Sequence, residues 1–350
     1  MLNRIRQIIY RPYARFKIWC KFRQFKCSSS QSTRMFLLNI PSHGNLGDHL
    51  LSVAEHKFFK DNFPNLQIVP VTSSDLYYSI KMSLSSVRSN DILCITGGGF
   101  LGSLYDEEER FFTILNMFPH NKVIVLPQTI YYEDNIKGQT ALKRAKLFYK
   151  SHNNLYVVAR DQNSYELLNE VLMKGHKDRI AFTPDLALYV NKQVDLEREG
   201  ILWCLRNDAE ICGTNISIVK EISNQVQILG VKEEYTDTYV SYPIPYELEE
   251  EEVCKKIEQF SRAKLVITDR LHGMIYSVIT GTPVIAMDNI SGKVGQVYKQ
   301  WLQSLSYVKF VSSVDDAKDI VSQMNELREC TYDNQQVINK YQPIIDFINA

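Results

Sequence analysis

The chain has 350 residues, of which 45% are hydrophobic and 23% charged, with 15 glycines and 11 prolines. This composition excludes a disordered or fibrous chain, and the length exceeds what one hydrophobic core usually serves, so two domains are expected. The formal net charge is zero, but nine of the 40 basic residues precede Asp48, the first acidic one, which leaves 31 basic against 40 acidic groups in an acidic body.

Residues 1–33 form a basic arm. It interleaves Arg4, Arg6, Arg11, Arg15, Lys17, Lys21, Arg23 and Lys26 with Ile5, Ile8, Ile9, Tyr10, Tyr13, Phe16, Ile18, Trp19, Phe22 and Phe25. Such a segment suits anionic headgroups at a membrane surface, and it equally suits a basic helix packed on the acidic body. Its apolar residues are never free of charge long enough for a signal peptide, and no uncharged apolar run approaches ~20 residues, the length of a bilayer span. The seven cysteines (Cys20, Cys27, Cys94, Cys204, Cys212, Cys254 and Cys330) make no C-x-x-C pair, which points to reduced thiols and a cytoplasmic protein, peripheral at the inner membrane face if the arm binds lipid.

From residue 34 apolar runs of strand length alternate with helical patterns, the signature of parallel βα units. Strands are expected at 35–40, 66–71, 91–96, 122–128 and 155–160, with helices at 48–61, 106–118, 138–151 and 161–173. The charged stretch at 194–200 is the best linker candidate. A second series follows, with strands at 201–206, near 237–242, at 264–269 and at 283–288, and helices at 213–224, 247–261, 272–280 and 313–328. The reading is therefore α/β, with one Rossmann-like domain over 34–193, a second over 194–330, and a closing helix at 331–350 free to strap either.

In open parallel sheets, ligands bind beyond the carboxyl ends of strands, where helix N-termini expose unpaired N–H groups. This rule singles out five loops. In PSHGNLGD, Gly44 and Gly47 are accompanied by His43, Asn45 and Asp48, more chemistry than a turn requires. TGGGFLG spells G-x-G-x-x-G through Gly97, Gly99 and Gly102, but it follows the third strand and no acidic ribose partner ends the next one. Gly97, Gly98 and Gly99 read better as a floor on which substrate approaches the backbone. Gln128, Thr129, Tyr131 and Tyr132 offer hydrogen-bonding and stacking groups suited to a sugar, or else an aromatic cluster packed under a loop. Arg160 leaves an apolar strand and needs an anionic partner, either a ligand or a protein carboxylate. In TDRLHG, Arg270 is a forked donor for phosphate or carboxylate, His272 can move a proton near neutral pH, and Gly273 permits close approach. His49 and His56 lie ~10 Å apart along a helix, too far for joint metal ligation, and no metal motif appears.

With these residues in hand, the chain resembles the polysaccharide pyruvyl transferase family through HGNLGD at 43–48, ITGGGFLG at 95–102, LPQTI at 126–130, ARDQNS at 159–164, FTPDLAL at 182–188, LRND at 205–208 and TDRLHG at 268–273. The resemblance implies a GT-B-like pair of Rossmann domains facing across a cleft. It also implies phosphoenolpyruvate as co-substrate and no cofactor. Donor-binding roles carry over to Arg160, Arg270, Leu271, His272 and Gly273. Asp269 stands where a serine commonly precedes the arginine. His272 is the expected proton donor, and Asp48 or His43 the base toward the acceptor. Acceptor contacts are expected from Asn45, Gly97, Gly98, Gly99, Gln128 and Tyr131. The acceptor would be a lipid-linked or nucleotide-linked sugar of an exopolysaccharide or capsule precursor, with no nucleic-acid partner. A GT-B glycosyltransferase using a nucleotide-sugar and a non-catalytic membrane-associated scaffold are the rival readings.

Overall fold

A computed structural model of the chain describes residues 2–26, 33–194, 196–208, 212–327 and 330–350. Cys27, the end of the arm and Asp195 of the linker stretch lie outside them, as do the side chains of residues 2–10. The chain opens with α1 (Leu2–Arg23). Next come β1 (Arg34–Ile40), α2 (Leu46–Asn62), β2 (Gln67–Thr72), α3 (Ser73–Ser83), β3 (Ile92–Ile95), β4 (Gly98–Gly102), α4 (Glu107–Met117), β5 (Lys122–Tyr131), α5 (Ile136–Ser151), β6 (Leu155–Ala159), α6 (Gln162–Leu167) and β7 (Ile180–Phe182). Its second series is β8 (Glu199–Cys204), α7 (Asn215–Leu229), β9 (Glu233–Thr236), α8 (Glu249–Arg262), β10 (Ala263–Thr268), α9 (Leu271–Ile279), β11 (Val284–Ala286), α10 (Lys293–Val297) and β12 (Val308–Phe310).

The first sheet has the order β2-β1-β3-β5-β6-β7 with β4 added on β5, and the second has the order β12-β11-β10-β8-β9. Every ladder is parallel. Helices cover both faces, which is why strands such as β3 and β10 are almost wholly apolar. Strand order reverses between β1 and β3 in one sheet and between β8 and β10 in the other. The loops that follow these four strands carry HGNLGD, TGGG, LRND and TDRLHG, so topology gathers the motifs at two facing switch points. The architecture is GT-B-like.

The halves share a hydrophobic core. Leu50, Phe58 and Phe59 of α2 belong to one buried cluster with Val253 and Phe260 of α8 and Met274 and Ile275 of α9. Buried polar bonds cross the same seam: Glu249 accepts from Ser52 Oγ at 2.8 Å and pairs with His49 Nδ1 at 3.0 Å, and the Tyr276 hydroxyl donates to the Leu46 carbonyl at 2.8 Å. The C-terminal helix Gln342–Asn349 returns to the first sheet, where Phe347 packs on Tyr156 and the Tyr341 hydroxyl donates to the Asp185 carbonyl at 2.8 Å.

Several expectations need correction. The strand expected near 237–242 is β9, which ends at Thr236, and residues 237–242 instead cross to the first half. Leu46 N–H donates to the Thr238 carbonyl at 2.7 Å and Val240 N–H to the Gly44 carbonyl at 2.8 Å. Gly44 is required there, because a Cβ would stand 1.9 Å from the Val240 oxygen. The glycine loop 98–102 forms β4 by pairing with the outer half of β5. The helix expected over 313–328 breaks at Asp319, whose φ of +57° is left-handed. As for the arm, Ile18 and Phe22 of α1 are buried and Lys21 pairs with Asp75 at 2.7 Å, whereas Tyr13, Phe16 and Trp19 are exposed. One face packs on the body and the other does not. Among the described residues no helix is long and apolar enough to cross a membrane.

Candidate active site

A cleft of about 440 Å³ opens where the two switch points face each other. On the first-half wall Asn45 caps α2, accepting from Gly47 N–H at 3.1 Å while its amide donates to Asp48 Oδ2 at 2.8 Å. His43 Nε2 stands 3.7 Å from the same Asp48 oxygen. On the opposite wall α9 begins directly after Arg270, so two helix N-termini, with their partial positive charge, point into one space.

His272 lies where the walls meet. A Cβ on Gly47 would come within 2.3 Å of its Nδ1, so the missing side chain of the first-half motif is what admits the imidazole of the second. The ring is buried, and its Nε2 makes no hydrogen bond and stands 3.8 Å from Asp185 Oδ2. Burial lowers its pKa below 6.5; Asp185 pulls upward and Arg160 downward, and the net shift is down. The imidazole is therefore neutral at pH 7.

Arg160 follows β6 and is buried, with Nη1 donating to Asp185 Oδ2 at 2.5 Å and Nε to Thr129 Oγ1 at 3.0 Å. Its remaining fork arm, Nη2, reaches 3.1 Å from the point a Cβ of Gly99 would occupy, and Lys293 Nζ lies 4.0 Å from the same point. Gly99 thus leaves room between two cations. Arg270 is held differently, with Nε and Nη2 forked onto Asp237 at 2.8 and 2.7 Å and Nη1 on Asp208 at 2.5 Å. Burial opposes its charge, but the bonds and charges of Asp237 and Asp208 prevail and raise its pKa. Asp269 accepts the Arg206 N–H at 2.8 Å, which ties the LRND turn to the TDRLHG loop.

The cleft therefore gathers His43, Asn45, Asp48, Gly99, Arg160, Arg270, Leu271 and His272 of the expected set. Gly99 stands beside the two cations. Gly97, Gly98, Gln128, Tyr131 and Gly273 do not line the cleft. Pairing with β4 extends β5 to Tyr131, so Gln128 is enclosed and donates to the Thr96 carbonyl at 2.8 Å. Gly97 N–H donates to the buried Glu55 carboxylate at 2.6 Å, and Gly273 packs on Thr268, whose Oγ1 would lie 2.3 Å from a Cβ. Burial pushes Glu55 up to about 8. The Tyr132 hydroxyl donates to Glu108 at 2.6 Å, the packed-cluster alternative for that loop.

Sequence reasoning passed over Asp185, Asp208, Asp237 and Lys293. Asp185 and Asp208 lie inside motifs already singled out. Lys293 follows β11 and Gly292, where the strand-end rule would have found it. Asp237 was hidden by the strand expected over it.

The model of the family described as polysaccharide pyruvyl transferase matches residues 45–291. General stress protein 30 of Bacillus subtilis is 32% identical over 90% of this chain and 91% of its own length. Pyruvyl transferase 1 of Schizosaccharomyces pombe is 26% identical over 84% of this chain and 76% of its own length. Among solved structures, a functionally uncharacterized Klebsiella pneumoniae protein aligns with a TM-score of 0.57 at 21% identity, covering 85% of this chain and 98% of that one. An α-glucosyltransferase in complex with UDP aligns with a TM-score of 0.51 at 10% identity, covering 91% and 95%, a likeness of fold alone. With five of the seven motifs lining one cleft and the family model spanning both sheets, the chain belongs to the polysaccharide pyruvyl transferase family and is a pyruvyl-transferring enzyme.

Proposed function

We propose that the enzyme transfers the enolpyruvyl unit of phosphoenolpyruvate to two hydroxyls of one sugar in a cell-surface polysaccharide precursor, closing a pyruvate ketal and releasing inorganic phosphate. The observation that carries this reading is the convergence of Arg160 Nη2 and Lys293 Nζ on the space above Gly99, beside a buried His272. A fork and an ammonium separated by a glycine suit a small, highly charged anion, and the starts of α2 and α9 add N-terminal dipoles. Arg270 stands across the cleft for the second anionic group of the donor, which would exchange with its aspartate bonds.

The chemistry balances through the residues at hand. Donor charges placed against His272 raise its proton affinity, so the imidazolium arises with the donor bound. It delivers its proton to the methylene carbon. One sugar hydroxyl adds to the cation left at C2, its proton passing to the His43–Asp48 pair. The C2–O bond to phosphate breaks, and the second hydroxyl closes the ketal. Of the two hydroxyl protons, one restores that given by His272 and the other leaves with phosphate.

The test is donor dependence. Purified enzyme is offered phosphoenolpyruvate or a panel of nucleotide-sugars with simple glycosides, while phosphate and nucleotide release are followed and products are weighed by mass spectrometry. Phosphate release with a pyruvate ketal on the glycoside is expected. Nucleotide release with glycosyl transfer would overturn the reading.

A further inference from the structure

We propose that the reaction cleft continues into a saccharide-binding trough that holds the sugar next to the one receiving the pyruvyl group, so that the working acceptor is a chain of at least two sugars. The orientation of the chain rests on the pyruvyl-transfer reading, which fixes the reactive end.

A second cavity of about 660 Å³ adjoins the cleft and shares His43, Ser73, Tyr105, Glu107 and Tyr239 with it. It runs outward between the start of α3, the turn before α4 and the crossing loop 239–243, and it has room for more than one pyranose ring. Four tyrosines line it, each about half open: Tyr77 at 59%, Tyr105 at 47%, and Tyr239 at 54% and Tyr242 at 51% on the crossing loop. Aromatic faces left open along a cavity suit the apolar C–H faces of sugars, while a hydroxyl cluster serves their edges. Such a cluster is present, with Ser42 Oγ at 2.7 Å from Ser73 Oγ and 2.6 Å from Ser74 Oγ. Arg110 also lines the trough, with its Nη2 bound to Glu107 at 2.6 Å.

Charge sets the ligand class. Among the described residues lining the trough, Arg110 is the one arginine or lysine; it is paired with Glu107, and Asp106 lines the trough as well. The reaction cleft holds Arg160, Arg206, Arg270 and Lys293. A phosphate or nucleotide would be drawn to the cleft and away from the trough, whereas an uncharged saccharide fits it.

The experiment uses methyl glycosides of glucose, galactose, mannose and N-acetylglucosamine with their 1,4-linked di- and trisaccharides. For wild type, kcat/KM at saturating phosphoenolpyruvate rises at least tenfold from mono- to disaccharide. In Tyr77→Ala and Tyr242→Ala the ratio of di- to monosaccharide kcat/KM falls about three- to tenfold, as expected for loss of one stacking face. Tyr235→Ala, at an exposed tyrosine stacked on Trp203 outside the trough, leaves the ratio unchanged. Equal kcat/KM for mono- and disaccharide in wild type, or an unchanged ratio in both trough variants, overturns the proposal. Saturation-transfer NMR of the same sugars without donor reads the trough separately. Disaccharide binding lost in the tyrosine variants supports it even if phosphoenolpyruvate is not turned over, and no tyrosine-dependent binding overturns it even if the pyruvyl reading stands.

Discussion

Arg160 and Arg270 occupy matching places in the two sheets, each just beyond the carboxyl end of a parallel strand, yet their surroundings are opposite. Arg160 is enclosed with one buried carboxylate, Asp185, and keeps one fork arm toward the cleft. Arg270 is spread over two partly exposed carboxylates, Asp208 and Asp237, and has all three fork nitrogens engaged. The first pair is a fixed point, because removing either member would strand a buried charge. The second is exchangeable, because partly exposed ion pairs hold little net energy. On the proposed phosphoenolpyruvate reading, one wall of the cleft is set before the donor arrives, while the other must trade partners to receive it.

The sharpest test lies between the two arginines, at His272. His272→Ala should depress kcat by ~10²–10⁴-fold, the usual contribution of positioned acid–base catalysis, and His272→Gln should not rescue it, since an amide does not titrate. Near-wild-type turnover of the glutamine variant would reduce the residue to an anion ligand. Because burial holds the free-enzyme imidazole below 6.5, its limb in the kcat/KM–pH profile should lie on the acid side of 6.5. The same limb should move upward in the kcat profile, where donor charge favours the proton.

Arg160→Lys should then weaken the donor by ~1.5–3 kcal/mol, about tenfold or more, and lower the melting temperature, since the ammonium cannot serve Asp185, Thr129 and the ligand together. Arg270→Lys should weaken the donor less and leave stability nearly intact. Equal losses in calorimetric affinity and melting temperature would erase the distinction between the walls. Gly99→Ala probes the fixed wall alone. Its methyl group would fall 3.1 Å from Arg160 Nη2, in the space left for the anion, and several-fold weaker donor binding with unaltered folding is expected. The smallest effect is expected of Asp208→Asn, which releases one arm of Arg270. Donor affinity should rise by up to about fivefold, the scale of ~1 kcal/mol for an exposed pair, and an unchanged affinity would show that Arg270 never exchanges.

Much of this was legible in the sequence for physical reasons. Runs such as ILCI at 92–95 and LVIT at 265–268 announce strands buried on both faces, and the switch-point rule then turns strand ends into a short list of loops. What escaped depended on tertiary pairing. Gly98–Gly102 has no strand propensity of its own and becomes β4 only because β5 continues beside it, which also withdrew Gln128 and Tyr131 from the cleft. Residues 237–242 alternate like a strand, but their partner is Gly44 in the other half, so Asp237 was missed as the holder of Arg270. Polar residues at a strand end read alike whether they face a cleft or protein, and Arg160 turns one fork arm to the cleft and another to Asp185.

The core shared by α2, α8 and α9 bears on how the molecule comes apart. Paired Rossmann-like domains ordinarily meet across a modest, polar interface and move as separate bodies. Here burial of apolar side chains runs through the seam, and the C-terminal helix is anchored on the first sheet. Neither half can expose that surface and remain folded, so melting should be a single cooperative transition, with coincident loss of near-ultraviolet and far-ultraviolet circular dichroism. Residues 34–193 expressed alone should collect in the insoluble fraction. A soluble, independently melting fragment would mean that the seam is a hinge after all, and the cleft an adjustable one.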